Sequence, residues 1–270
     1  MSIAGVRGQL AADDSLVGRA LCDAWAAEVD RWLAELLEAG AEPDGRGLAL
    51  VAVGGYGRRE LSLQSDVDIV LLHAGRTDIG AVADQVWYPV WDSGLKLGHA
   101  VRTVKEALAL AADDLDTATA LLDARHLGGD RALSDELAEK AALQWRKRSK
   151  RWLAVMGERI DERHRRSGEV AFLLEPDLKS GRGGLRDVHC LRWAQAARSI
   201  LWETDQAGID AAHDVLLAAR VELHRRTGRP GDRLLLQEQD AVALALGYEQ
   251  ADDLMRAVSV AARTIAWTSD

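Results

Sequence analysis

Val53-Gly54-Gly55-Tyr56-Gly57-Arg58-Arg59-Glu60-Leu61-Ser62-Leu63-Gln64-Ser65-Asp66-Val67-Asp68-Ile69 joins the end of one apolar run to the start of another through a glycine-rich turn. Leu48 to Val53 and Val67 to Leu72 each have the length and the Val, Ile and Leu content of a buried strand, bounded by glycine or polar residues. In Asp66-Val67-Asp68 the period of a strand puts both carboxylates on one face with a buried valine between them, an arrangement suited to hard divalent cations. Gly54, Gly55 and Gly57 let the backbone approach phosphates closely, and the amides of a helix starting near Gly57 would point at the anionic oxygens. A Gly-Gly turn alone, or an Asp-x-Asp alone, is ordinary. Together they set a phosphate-binding turn beside a metal-binding acid pair, and the reaction this juxtaposition implies is nucleotidyl transfer, with metal ions stabilising the attacking and leaving oxygens.

Outward from this stretch the chain reads as helix, rich in Ala, Leu, Arg and Glu with only four prolines. Leu21, Trp25, Val29, Trp32, Leu33, Leu36 and Leu37 recur at three and four, giving an amphipathic helix from Leu16 that ends near Gly40. A helix over Ile79 to Trp91 and a strand over Leu95 to Thr103 complete a small mixed sheet. Helices follow over Val104 to Ala112, Leu115 to Arg125 and Ala132 to about Arg166, the last interrupted by nothing stronger than Gly157. Val170 to Gly184, with Pro176, Gly181, Gly183 and Gly184, is a looped excursion before helices resume. The fold class is therefore α/β, or α+β: a nucleotidyltransferase domain with an N-terminal helix over residues 1–130, then a mainly helical domain over 131–270.

Composition narrows the function classes. The chain has 270 residues, 48% of them hydrophobic, enough for a sizeable core. Its 34 basic against 43 acidic side chains, a net charge of −9, offer no general attraction for nucleic acid. Two cysteines, Cys22 and Cys190, form neither a disulfide framework nor a metal knuckle and suit a reducing cytoplasm. The sequence carries no signal-peptide pattern and no apolar run of membrane-spanning length.

The glycine turn and acid pair resemble the polymerase-beta-type nucleotidyltransferase superfamily. With Trp91-Asp92-Ser93-Gly94-Leu95-Lys96-Leu97-Gly98-His99-Ala100-Val101-Arg102-Thr103 and Glu175-Pro176-Asp177-Leu178-Lys179-Ser180-Gly181-Arg182-Gly183-Gly184-Leu185-Arg186-Asp187, the chain is similar to the bacterial PII uridylyltransferase family. Leu223-His224, Asp232-Arg233-Leu234 and Gln239 agree with its downstream helical region. The resemblance implies a Mg²⁺-dependent transferase that moves UMP from UTP to a tyrosine of the PII signalling protein and releases pyrophosphate; in actinobacterial relatives the donor is ATP. It further implies that the phosphohydrolase and sensing domains of the full-length family are absent from this polypeptide, since His213-Asp214 has no histidine cluster of ligand spacing around it. The related glutamine synthetase adenylyltransferase shares the Gly-Gly and Asp-x-Asp core, but the Gly98-to-Arg102 block argues against it; a small-molecule nucleotidyltransferase is the third reading, and a non-catalytic nucleotide-binding remnant is the main non-enzymatic alternative.

On this resemblance Asp66 and Asp68 are the catalytic residues and metal ligands, and Gly54, Gly55, Gly57, Arg58, Ser65, Lys179 and Arg186 bind the nucleotide. Glu60 holds the motif together. The third carboxylate usual in the superfamily is missing from the strand over Leu97 to Arg102, leaving Asp92, Glu106 or Asp187 as substitutes, or two acids sufficing. Asp187, at a helix start, reads first as a cap. The basic stretch over Arg146 to Arg151 and Arg163 to Arg166 is either a solvated helix face or a docking strip for an acidic partner. Trp25, Trp32, Trp145, Trp152 and Trp193 sit where bulk fills a core.

Overall fold

The computed structural model describes residues 2–40, 47–75, 79–198 and 201–270. They fall into two compact units: one holds the described residues up to 12, within 22–61 and within 65–147, the other those within 13–21, 62–64 and 148–270. The helix next to residue 147, expected to open the helical domain, thus belongs to the α/β unit.

The first unit is built on a four-stranded mixed sheet in the order β3-β2-β1-β4. Its strands are β1 (Leu48–Ala52), β2 (Val67–His73), β3 (Leu97–Arg102) and β4 (Arg125–Gly129). β1 is buried at every position and pairs antiparallel with β2 and β4, while β2 pairs parallel with β3. The parallel step needs a crossover, and α4 (Ile79–Asp92) supplies it, burying Val82, Ala83, Val86, Trp87 and Val90. Before the sheet come α1 (Ile3–Ala12) and α2 (Gly18–Gly40). On α2, Trp25, Val29, Leu33 and Leu37 are buried at the expected spacing, while Trp32 and Leu36 are half-buried at the edge of the apolar stripe. A single turn, α3 (Gly54–Gly57), links β1 toward β2; α5 (Val104–Ala111), α6 (Leu115–Leu122) and α7 (Arg131–Lys147) complete the unit. Thr103 and Glu106 close a reciprocal capping box on α5, and Asp114 caps α6.

Two local expectations are corrected. The helix read as Leu115 to Arg125 stops at Leu122, and Arg125–Gly129 becomes the edge strand β4. Arg-His-Leu-Gly-Gly has little strand propensity; pairing with β1 overrides it, and Gly129 allows this because a Cβ there would stand 2.3 Å from the Leu48 carbonyl oxygen. The long helix over Ala132 to Arg166 is two helices, α7 and α8 (Ser149–Ser167), separated at Arg148 with ψ 12°. The break falls inside the basic run, whose Arg146 and Lys147 favour the C-terminal end of α7. Gly157 lies within α8 without breaking it.

The second unit contains α8, α9 (Leu185–Ala197), α10 (Glu203–Thr227), α11 (Leu236–Ala245) and α12 (Ala251–Ser269). Its core includes Trp152, Val188, Leu216, Leu217, Leu234, Val258 and Ile265. The loop from Gly168 to Gly184 is held by bridges Glu169–Arg182 and Asp177–Arg233 and by the Asp177 carboxylate, which accepts from the amides of Lys179 and Ser180 at 3.0 and 2.7 Å. No helix of the described residues is long and apolar enough to cross a membrane.

Candidate nucleotidyl-transfer site

Asp66 is exposed just before β2, and Asp68 is half-buried at its second residue. Asp68 is the one that the structure sets against the glycine turn. The Val53 amide donates to the Asp68 carbonyl at 3.0 Å, binding the turn's entry to the acid strand. Gly54 has φ +56°, a left-handed conformation that side chains disfavour, and a Cβ there would come within 3.9 Å of Asp68 Oδ2. On the other flank Gly98 pairs with Asp68 across β2 and β3, and its Cβ would stand 2.1 Å from Asp68 Oδ1. The Asp68 carboxylate therefore lies in a slot between Gly54 and Gly98.

The three glycines of the turn have different physical reasons. Gly57 is forced by close packing, since a Cβ would meet the Asp123 carbonyl oxygen at 2.0 Å. A Cβ on Gly55 would meet only Arg58 Nη2, at an ordinary 3.8 Å. The short helix starts at Gly54 rather than near Gly57, so Gly54 and Gly55 supply its first amides. Arg59, at φ 60°, carries the turn's remaining backbone strain.

A network missed in the sequence grips the turn. Asp30 on α2 accepts from the Tyr56 hydroxyl at 2.6 Å and from the Arg125 guanidinium at 2.6 and 3.0 Å. Arg125 also donates to the carbonyls of Gly57 and Tyr56, both at 3.2 Å, and lies 5.3 Å from the Tyr56 ring centroid. Burial, then the Asp30 carboxylate, pushes the Tyr56 phenol far above its ordinary range, so it remains a donor. Nothing in the local pattern around Asp30, Asp123 or Arg125 marks these residues, because the helix and the strand that carry them lie far from the turn in sequence.

Arg58 donates to Glu60 at 2.9 Å and to Asp123 at 2.5 Å. Burial alone would lower its guanidinium, but the two carboxylates more than offset this and raise it. Glu60 thus fastens Arg58 beside Gly55. Ser65 is half-buried immediately before Asp66. The strand β3 contains no acid; Asp92 is exposed at the end of α4, and Glu106 is occupied in the Thr103 capping box.

Lys179 and Arg186 belong to the second unit. Lys179 lies 3.7 Å from Asp232, and Arg186 is exposed at the second position of α9. Asp187, 1% exposed, accepts from Arg163 at 2.6 Å, from the Gly183 amide at 2.7 Å and faces His164 at 3.0 Å. That saturates a carboxylate otherwise available to a metal. Arg165 and Arg166 of the basic stretch both pair with Glu162.

Carboxylate oxygens are the donors that a hard divalent cation takes, and the Gly54–Gly98 slot fixes those of Asp68. Comparison with known proteins finds similarity to one family. Residues 153–269 match the family model described as GlnD PII-uridylyltransferase. The chain is 49% identical over 243 residues to the bifunctional uridylyltransferase/uridylyl-removing enzyme of Streptomyces coelicolor, covering 89% of this chain and 29% of that protein. It is 43% identical over 249 residues to the protein of the same name from Mycobacterium tuberculosis, covering 89% and 31%. A Bradyrhizobium protein of that name is 38% identical over 216 residues, 74% of this chain and 23% of the relative. The chain spans less than a third of the length of these curated relatives. A match over 89% of the chain includes the glycine turn and the acid pair wherever it begins.

Proposed function

We propose, from the premise that this chain shares the PII-uridylyltransferase family segment at residues 153–269, that it is a Mg²⁺-dependent nucleotidyltransferase acting on a tyrosine of a PII signalling protein. The observation that carries the reading is the Asp68 carboxylate lodged between Gly54 and Gly98, directly beside the turn that would receive the triphosphate. Asp66 and Asp68 are the residues that hold the metal. Bound there, Mg²⁺ supplies charge stabilisation to the attacking and leaving oxygens at the α-phosphorus.

The chain's own residues do the rest. Gly54 and Gly55 bring backbone amides to the phosphates without a side chain in the way, and Gly57 lets the turn pack closely on Asp123. Arg58, fixed by Glu60 and Asp123, presents positive charge at Gly55. Ser65 offers a hydroxyl next to the acids. UTP and ATP are the two candidate donors, and the reaction suits a cytoplasmic protein.

Intact-mass measurement of a PII protein incubated with this chain, Mg²⁺ and either nucleotide tests the reading. A gain of one nucleotidyl mass, lost in the Asp66→Asn/Asp68→Asn variant, is the expected result and identifies the donor. Nucleotide binding without transfer to PII would overturn it.

A further inference from the structure

The braces around the glycine turn converge on one side chain outside every motif. Arg125 opens β4, and its Nε and Nη2 donate to the Gly57 and Tyr56 carbonyls while Nη1 and Nη2 donate to the two oxygens of Asp30. Those carbonyls end the short helix whose first residues are Gly54 and Gly55. Fastening them fixes the tilt of the peptide planes through the turn, and hence the aim of the amides at its start. The floor beneath is supplied by the same segment: Asp123 gives its carbonyl to the contact with Gly57 and its carboxylate to Arg58.

We infer that Arg125, oriented by Asp30, is a positioning residue for the nucleotide-binding turn, an inference that rests on the nucleotidyltransferase reading above. Four directed bonds from one planar fork are a task for which lysine, a single point of charge, is not equivalent. Asp30 sets the plane of the fork by accepting from two of its nitrogens, and the Tyr56 hydroxyl, donating to the same carboxylate at 2.6 Å, ties the turn's one large side chain to the brace. Tyr56 is 1% exposed and the Arg125 side chain 22%, so the network lies beneath the turn and acts on bound nucleotide only through the backbone. The core of the sheet is packed separately by apolar side chains, Leu48, Leu50, Ile69 and Leu71 among them.

The test compares the whole chain with its Arg125→Lys and Tyr56→Phe variants. Calorimetric titration with MgUTP and MgATP gives Kd, pyrophosphate release with a PII acceptor gives kcat and KM, and a thermal melt gives Tm. Arg125→Lys is expected to raise nucleotide Kd and KM by about tenfold, the scale of losing an outer support of a binding group. Its kcat should stay within about threefold of the parent, as for lost binding rather than lost transition-state contact. Tyr56→Phe removes one bond to Asp30 and should raise Kd by roughly twofold to threefold; it decides the matter where Arg125→Lys fails to fold. If the parent binds either nucleotide and both folded variants bind as tightly, the positioning role is overturned while the nucleotidyltransferase reading stands. A fall in kcat at unchanged KM also overturns it. If the parent binds neither nucleotide, the underlying reading fails and the inference with it.

Discussion

Gly98 stands directly across from Asp68 in the parallel pairing of β3 with β2, so close that a single methyl group on it would lie 2.1 Å from Asp68 Oδ1. The residue on the neighbouring strand thus determines where the acid's carboxylate can lie. The strand β3 carries no acid, and its residue paired with Asp68 is a glycine, which leaves room for the carboxylate.

Gly98→Ala should therefore move the Asp68 carboxylate and lower turnover by about tenfold or more, as misplacement of a reacting group by a fraction of an ångström does. Stability should fall far less in relative terms, because the neighbour that must yield is a side-chain oxygen rather than backbone. Transfer rate and urea midpoint measured on the same preparation check this. Full activity in the variant would show that Gly98 does not set the carboxylate.

Gly57→Ala and Gly55→Ala should part company. The first drives a Cβ into the Asp123 carbonyl at 2.0 Å and should cost about 1–3 kcal/mol of stability, the usual range for overpacking. The second meets only Arg58 Nη2 at 3.8 Å and should leave the urea midpoint unchanged while weakening nucleotide binding, because the added methyl would occupy space kept for phosphate. Equal losses of stability in the two variants would refute the division of labour.

Much of the first unit was legible because its signals are local. Leu48–Ala52 and Val67–His73 are apolar runs within a residue or so of the strands read from the sequence, and the periodicity of α2 follows from its buried leucines and tryptophan. Asp66 and Asp68 are marked by a local signal of the same kind, two acids one residue apart at the entry to an apolar run. What was not legible depends on partners distant in sequence. Arg125–Gly129 is a strand only because β1 lies beside it, and Arg125 and Asp30 acquire their role 69 and 26 residues from Tyr56. The break at Arg148 carries no proline or glycine, so no local breaker announces it.

Asp66→Asn and Asp68→Asn should each reduce transfer by roughly a hundredfold or more, the scale of removing one electrostatic contact to a transition state. Asp66 is exposed and Asp68 half-buried, so neither change should unfold the chain. Rates across a Mg²⁺ titration and thermal melts provide the check. An Asp66→Asn protein with parental rates at every Mg²⁺ concentration would remove it from the metal site.

The second unit should lose stability in mild acid through His224. This imidazole is fully buried, its Nδ1 is 2.6 Å from the Ser62 hydroxyl, and its Nε2 lies 3.5 Å from Asp232. Burial pushes its pKa down, only partly countered by Asp232 and reinforced by the nearby Arg220 and Lys179. Burial alone would raise Asp232, but His224, Arg220 and Lys179 together hold it well below the ordinary carboxylate range. Both folded-state values lie below their unfolded ones, so in each case the unfolded chain takes up protons first as pH falls, and stability falls with it. The His224 contribution is complete above its unfolded value of about 6.5 and declines below it; the Asp232 contribution is complete above about 3.9 and declines below that. Each group tilts stability by at most about 1.4 kcal/mol per pH unit within its own window. His126, on β4 of the first unit and also lowered by burial, gives that unit a slope of the same sign in the upper window. Urea midpoints between pH 7 and 5 should therefore decline for the parent and decline less for His224→Gln, which removes one titrating group and leaves His126 in place. An unchanged slope in His224→Gln would show that the buried imidazole does not govern stability in that range.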